Sequence, residues 1–202
     1  FTVDGQPARR IADDTPGRLR LTPEALPQSV EFVAADVPAF GWRRFTLAPA
    51  EAHPDQEDGG REIVSGDLRV RVADDGTFEL HTAAGVYAGL CGIEDVGDRG
   101  DTYDFDPLAD ATVTLQAVEV RRRVHAAGFQ HLTVCRTFSV PAELAPDRAR
   151  RSAQRVPLVI ETEARLARGV ERVDLRVYVD NTAKDHRLRL LFPTGGPIDE
   201  FE

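Results

Sequence analysis

Apolar and polar residues alternate along most of this chain. That two-residue period puts one face of a β-strand in a core and the other in water. The clearest run is 170–180, where Val173, Leu175, Val177 and Val179 mark a buried face and Asp174, Arg176 and Tyr178 an outward one. Residues 156–167 precede it across Arg168-Gly169, so the two runs read as a long hairpin. Residues 112–125 and 129–140 form a second such pair around Ala126-Ala127-Gly128. Shorter alternating runs cover 62–65, 67–73 and 77–81, with Asp74-Asp75-Gly76 as a hairpin turn. Residues 83–90 are small and apolar, and 187–192 form a last apolar strand before Pro193. Weaker strand signals lie at 18–22, 29–34 and 43–47. The Arg-rich segment 142–152 predicts a helical turn or a mobile loop.

Roughly ten strands with almost no helix predict an all-β fold, a large antiparallel β-sandwich preceded by a small β segment. The longest runs exceed the usual ~5–6 residues and suit an oversized sandwich. Three stretches follow. Residues 1–48 read as the end of a small β-domain or as linker strands. Residues 49–60, dense in Ala, Pro, Glu, Asp and Gly, read as a linker. Residues 61–202 read as the main β-domain, expected to be truncated at its C-terminal end.

The length of 202 residues and the 42% hydrophobic content suffice for a sizeable core. A formal net charge of −9 argues against nucleic acid as a partner. The basic run Arg121-Arg122-Arg123 falls inside a strand and reads as a solvated sheet face. No segment approaches the ~18–20 apolar residues of a membrane span, so no membrane partner is expected. Cys91 and Cys135 lack metal or redox spacing and read as two buried free thiols, which points to the cytoplasm. The chain has no methionine, and Phe1 reads as an internal residue of a longer protein or a processed end.

The densest candidate chemistry is Asp95-Val-Gly-Asp-Arg-Gly-Asp-Thr-Tyr-Asp-Phe-Asp106. Its glycines and aspartates rule out a helix and make a poor strand interior, so it predicts an exposed functional loop. Asp98, Asp101, Asp104 and Asp106 supply hard oxygen atoms suited to Ca²⁺, although the spacing is not that of an EF-hand. Paired carboxylates also serve glycoside hydrolysis. The structural alternative is that they cap backbone amides. The histidines show no zinc spacing, and His125 and His131 flank one hairpin turn, where they can pair. No catalytic or metal residue is assigned in this chain. In Asp180-Asn-Thr-Ala-Lys-Asp-His-Arg187, Arg187 can clamp a carboxylate with Asp185 fixing it; the alternative is a sheet-corner salt bridge.

Three of these segments carry a family resemblance: Val37-Pro-Ala-Phe-Gly-Trp42, Gly97-Asp-Arg-Gly-Asp-Thr-Tyr-Asp-Phe105, and Val179-Asp-Asn-Thr-Ala-Lys-Asp-His-Arg-Leu-Arg189 followed by Phe192-Pro-Thr-Gly195. In order and rough spacing they resemble the C-terminal β-region of glycoside hydrolase family 38, the retaining α-mannosidases. Trp42 stands where a tyrosine is commoner. The resemblance implies a galactose-mutarotase-like supersandwich, packed on a catalytic barrel of the same polypeptide. That barrel would hold a zinc ion and the catalytic carboxylates; this fragment itself is expected to need no cofactor. Asp98, Asp101, Tyr103 and Asp104 become candidates for the rim of a mannose-containing carbohydrate site, and Asp185, His186 and Arg187 a structural motif. The competing readings are a stand-alone carbohydrate- or calcium-binding sandwich and an assembly domain forming homo-oligomers.

Overall fold

The computed structural model describes residues 2–3, 6–7, 9–11, 29–48, 54–101, 103–108 and 113–196, with side chains from residue 31 onward. The strand signal at 18–22 lies outside the described residues. Among those described there is no helix, and the fold is all-β, as the alternation predicts.

The first strands are short: β1 (Thr2–Val3), β2 (Gln6–Pro7), β3 (Arg9–Ile11), β4 (Ser29–Glu31) and β5 (Leu47–Ala48). They form two small sheets, β2-β1-β5 and β3-β4. The runs at 29–34 and 43–47 thus shrink to three and two residues. Between them, Gly41 donates its N–H to the Pro38 carbonyl in a turn at 3.1 Å, with Phe40 and Trp42 facing solvent.

The main body follows as β6 (Gln56–Asp58), β7 (Glu62–Ser65), β8 (Leu68–Val72), β9 (Phe78–Thr82), β10 (Gly85–Leu90) and β11 (Gly92–Gly97). It continues as β12 (Thr114–Val124), β13 (Phe129–Pro141), β14 (Arg155–Ala167), β15 (Asp174–Asp180) and β16 (His186–Leu191). Strand β6 lies within the stretch that reads as linker, yet it joins the sheet β15-β14-β13-β12-β6. Arg122 and Arg123 draw it in: Arg122 binds Asp58 through two hydrogen bonds, and Arg123 reaches Glu57 at 2.5 Å. The basic run is therefore ion-paired rather than simply solvated.

Opposite this five-stranded sheet lie the four-stranded sheet β10-β9-β8-β7 and the ribbon β11-β16. One half of the core joins Ile63, Val70, Val72 and Phe78 to Leu132, Val134, Ala164 and Leu166. The other half joins Phe138, Val140, Leu158 and Ile160 to Ile93 and Leu188 of the ribbon. Each fully buried Val, Leu, Ile or Phe side chain among them contributes about 1.5–3 kcal/mol. Arg136 sits on the core face of β13 between the halves, 1% exposed, and donates to the Cys91 carbonyl at 2.7 Å. Its stem passes Gly76, where a Cβ would lie 2.7 Å from Arg136 Cδ; a backbone φ of +78° there makes glycine doubly necessary.

Two expectations about burial change. Leu175 and Val179 are 43% and 44% exposed on β15, the edge strand of its sheet. Cys91 is buried, but Cys135 lies on the outer face of β13 and is only partly covered.

Candidate functional site

The two motifs of the sequence meet at one end of the β11–β16 ribbon. Register pairs Val96 with Arg187 and Gly97 with His186. The expected loop therefore begins three residues later than its composition suggests: Asp95, Val96 and Gly97 are strand. Antiparallel pairing with 186–188 outweighs the poor intrinsic preference of Asp and Gly for strands.

Beyond Gly97 the chain makes its own small hairpin. Asp98 donates its N–H to the Asp185 carbonyl at 2.8 Å and bridges to Pro107. Arg99 donates to the Asp106 carbonyl at 2.9 Å, and Asp101 to the Asp104 carbonyl at 3.1 Å. The aspartate side chains bind backbone. Asp98 Oδ1 accepts the amides of Gly100 and Asp106 at 2.9 and 3.0 Å. Asp101 Oδ1 accepts those of Tyr103 and Asp104 at 2.8 and 3.1 Å. Those two hydrogen bonds hold the Asp101 carboxyl below its ordinary pKa. Asp106 pairs with Arg99 at 2.7 Å. The amide-capping alternative thus accounts for Asp98 and Asp101. Among the described residues, no group of three or more His, Cys, Asp or Glu is arranged to hold a metal ion. A Cβ on Gly100 would fall 1.6 Å from the Asp104 carbonyl oxygen, so the turn requires glycine. What the hairpin presents outward is Tyr103, 94% exposed, with Asp104 beside it.

The base of the hairpin is polar and buried. Asp95 Oδ2 accepts from Arg151 Nη1 at 2.6 Å, and its Oδ1 lies 2.5 Å from His186 Nδ1. His186 Nε2 lies 3.0 Å from Asn181 Oδ1, and Arg151 also donates to the Pro141 carbonyl at 3.3 Å. Burial alone would raise the Asp95 pKa; the His186 and Arg151 hydrogen bonds outweigh it and hold the carboxyl below its ordinary value.

Asp185 does not fix Arg187, and neither residue forms a salt bridge among the described residues. Asp185 accepts the Leu144 amide at 3.2 Å in a left-handed conformation, φ +51°. Arg187 lies over the Phe105 ring, 3.2 Å from its centroid, a cation–π contact in place of a salt bridge. Residues 142–152 are neither helix nor featureless loop: Leu144 bridges to Arg151, and Arg148 donates to the Arg99 carbonyl at 2.6 Å. Arg151 was not legible as a site residue, and Asp95 was read only as the first residue of an exposed loop. The one signal was an arginine and an aspartate of opposite charge in segments that both flank turns, and spacing alone cannot pair residues 56 positions apart.

No family model matches the chain. In an alignment of 145 positions that covers 62% of this chain, it is 34% identical to a candidate mannosylglycerate hydrolase of Halalkalibacterium halodurans. The chain spans 16% of that protein. In fold it is similar to an alpha-mannosidase from Enterococcus faecalis V583, with a TM-score of 0.69, 20% identity, and coverage of 95% of this chain and 25% of that one. A glycosyl hydrolase family 38 protein from Enterococcus faecalis gives a TM-score of 0.60 at 19% identity, covering 77% of this chain and 21% of the other. The resemblance read from the three motifs thus extends to the fold, that of a β-region found within glycoside hydrolases.

Proposed function

We propose that this chain is a non-catalytic β-region of a zinc-dependent retaining α-mannosidase of glycoside hydrolase family 38. It packs on the catalytic barrel of the same polypeptide, and the hairpin after Gly97 forms part of the rim of the sugar site. The observation that carries this is the hairpin itself, rigid at its base and exposed at its tip. Capped amides, an essential glycine and a buried ion cluster fix the backbone, while Tyr103 and Asp104 face outward. An aromatic face beside a carboxylate suits a sugar, whose ring C–H face stacks while its hydroxyls donate.

The electrostatics support a supporting rather than a reacting role. A general acid needs a raised pKa, and both Asp95 and Asp101 are moved down. Zinc belongs to the barrel in this reading, and no residue of this chain is assigned to it. The substrate is a mannose-containing carbohydrate. A mannosyl-solute is favoured over a long glycan by the identity to the candidate mannosylglycerate hydrolase. A cytoplasmic location accords with two free thiols.

The test is steady-state kinetics of the complete enzyme bearing Asp101→Ala or Tyr103→Ala. A rim role predicts a higher KM or a lower kcat, with an unchanged unfolding midpoint for Tyr103→Ala. Wild-type kinetics in both variants would sink the rim assignment. The alternative reading is a stand-alone carbohydrate- or calcium-binding sandwich. It would be favoured by Ca²⁺ or sugar affinity at the loop of the isolated chain, lost in Asp101→Ala.

A further inference from the structure

A well of about 290 Å³ opens on the outer face of the five-stranded sheet, the side away from the core. Its floor is set by strand register. Thr133 lies in the row Arg121, Thr133, Glu163, Arg176 across β12, β13, β14 and β15. The row on one side runs Arg123, His131, Arg165, Asp174. Short Thr133 is thus ringed by long polar side chains, and the depression is a direct result of side-chain length.

The charges in the well cancel. Arg121 meets Glu161 at 3.2 Å, Arg123 meets Glu57 at 2.5 Å, and His131 meets Glu163 at 3.1 Å. Arg176 stands opposite Glu163, while Arg165 pairs with Glu31 and Asp174 with Arg172, both from outside the well. A charged ligand would have to break one of these pairs to enter. A neutral ligand with adjacent hydroxyls need not, because a carboxylate or a guanidinium can take part in several hydrogen bonds at once. One end of the well is also structured below the surface. The His125 and His131 rings meet edge to face with centroids 4.9 Å apart, and their side chains are 3% and 9% exposed.

We propose that this well binds a small neutral polyhydroxylated ligand of about one sugar unit, at a site separate from the hairpin that presents Tyr103. Its volume is at the lower limit of the ~300–1,000 Å³ range of ligand pockets, which suits a monosaccharide and not an oligosaccharide. Each hydroxyl would donate to a Glu and accept from an Arg.

The probe is D-mannose, titrated into the 202-residue chain with ring-labelled histidine and followed by NMR, with inorganic phosphate as the anionic comparison. The expected result is saturable, millimolar shifts of the His125 and His131 ring signals with mannose and weaker or no binding of phosphate. Thr133→Phe fills the floor and should weaken binding by about tenfold or more. Glu163→Gln keeps the shape and should weaken it by about tenfold through loss of a charge-assisted hydrogen bond, so the test survives if Thr133→Phe does not fold. Tyr103→Ala should leave the affinity unchanged, which separates this site from the rim. Absent shifts, phosphate binding tighter than mannose, wild-type affinity in Glu163→Gln, or loss of binding in Tyr103→Ala each overturns the proposal.

Discussion

Asp95 and His186 face each other across the β11–β16 ribbon, 2.5 Å apart and with side chains at most 2% exposed, at the base of the hairpin that presents Tyr103. Arg151 completes the cluster from a third segment. A buried ion cluster is weak as a source of net stability but costly to break, because the remaining charges stay buried without a partner.

Asp95→Ala should therefore destabilise the fold by about 3–5 kcal/mol, read from urea unfolding. His186→Ala should cost less, since Asp95 keeps Arg151. If the two substitutions cost the same, the cluster is not organised around Asp95.

Stability should fall in acid. Asp95 is held below its ordinary value, and the Asp58 carboxyl is held at about 2 by its hydrogen bond to Arg122 and then by the Gly60 amide. Carboxyls with depressed folded-state values stabilise fully above the unfolded value, about 4, and lose that contribution as pH falls through the folded value. The unfolding midpoint should hold above about pH 5 and drop from about pH 4 toward pH 2. Asp58→Asn should flatten part of that drop, and added salt should shrink the Asp58 share because the pair is exposed. A midpoint independent of pH over this window would contradict both assignments.

Gly100→Ala should disturb the hairpin and leave the core intact. The added Cβ meets backbone, which cannot move aside as a flexible side chain would. Hydrogen exchange should speed up at the Tyr103 and Asp104 amides, both held by Asp101, with the midpoint of unfolding nearly unchanged. Undisturbed exchange at those amides would show that the turn tolerates a side chain.

The two thiols should differ in reactivity. Burial pushes Cys91 up to about 11, only partly offset by Arg136. Cys135 is also raised, by burial first and then by Glu119 and Glu161, yet it is partly exposed. Native protein at pH 8 should release one thiol slowly to a disulfide reagent, mapping to Cys135, and the second only on unfolding. Modification of Cys91 first would refute this ordering.

Arg136→Met tests whether the charge dividing the core is needed. Filling the volume without the charge should be near neutral if the arginine is dispensable, since the cost of burying the charge is removed along with its hydrogen bond. A loss of stability would mean that its bond to the Cys91 carbonyl fixes the approach to the ribbon.

The strands of the main body are legible in the chain alone. Alternation at 62–81, 112–140 and 156–180 is local, because successive side chains of a strand must point to opposite faces, and the hairpin turns are local too. The motifs Gly97–Phe105 and Val179–Arg189 were also legible, including the possibility that aspartates cap amides, since an Asp binds the N–H two residues on within its own turn. Long-range contacts set the rest. Only folding sets 92–97 beside 186–191, turns Asp95 from a loop residue into a buried one, and brings Arg151 from a segment that reads as a mobile loop. It also decides that β15 is an edge, so that Leu175 and Val179 stay half exposed despite a buried-strand pattern. Period reveals which residues share a face; what covers that face depends on contacts between segments far apart in the chain, and a single sequence does not record them.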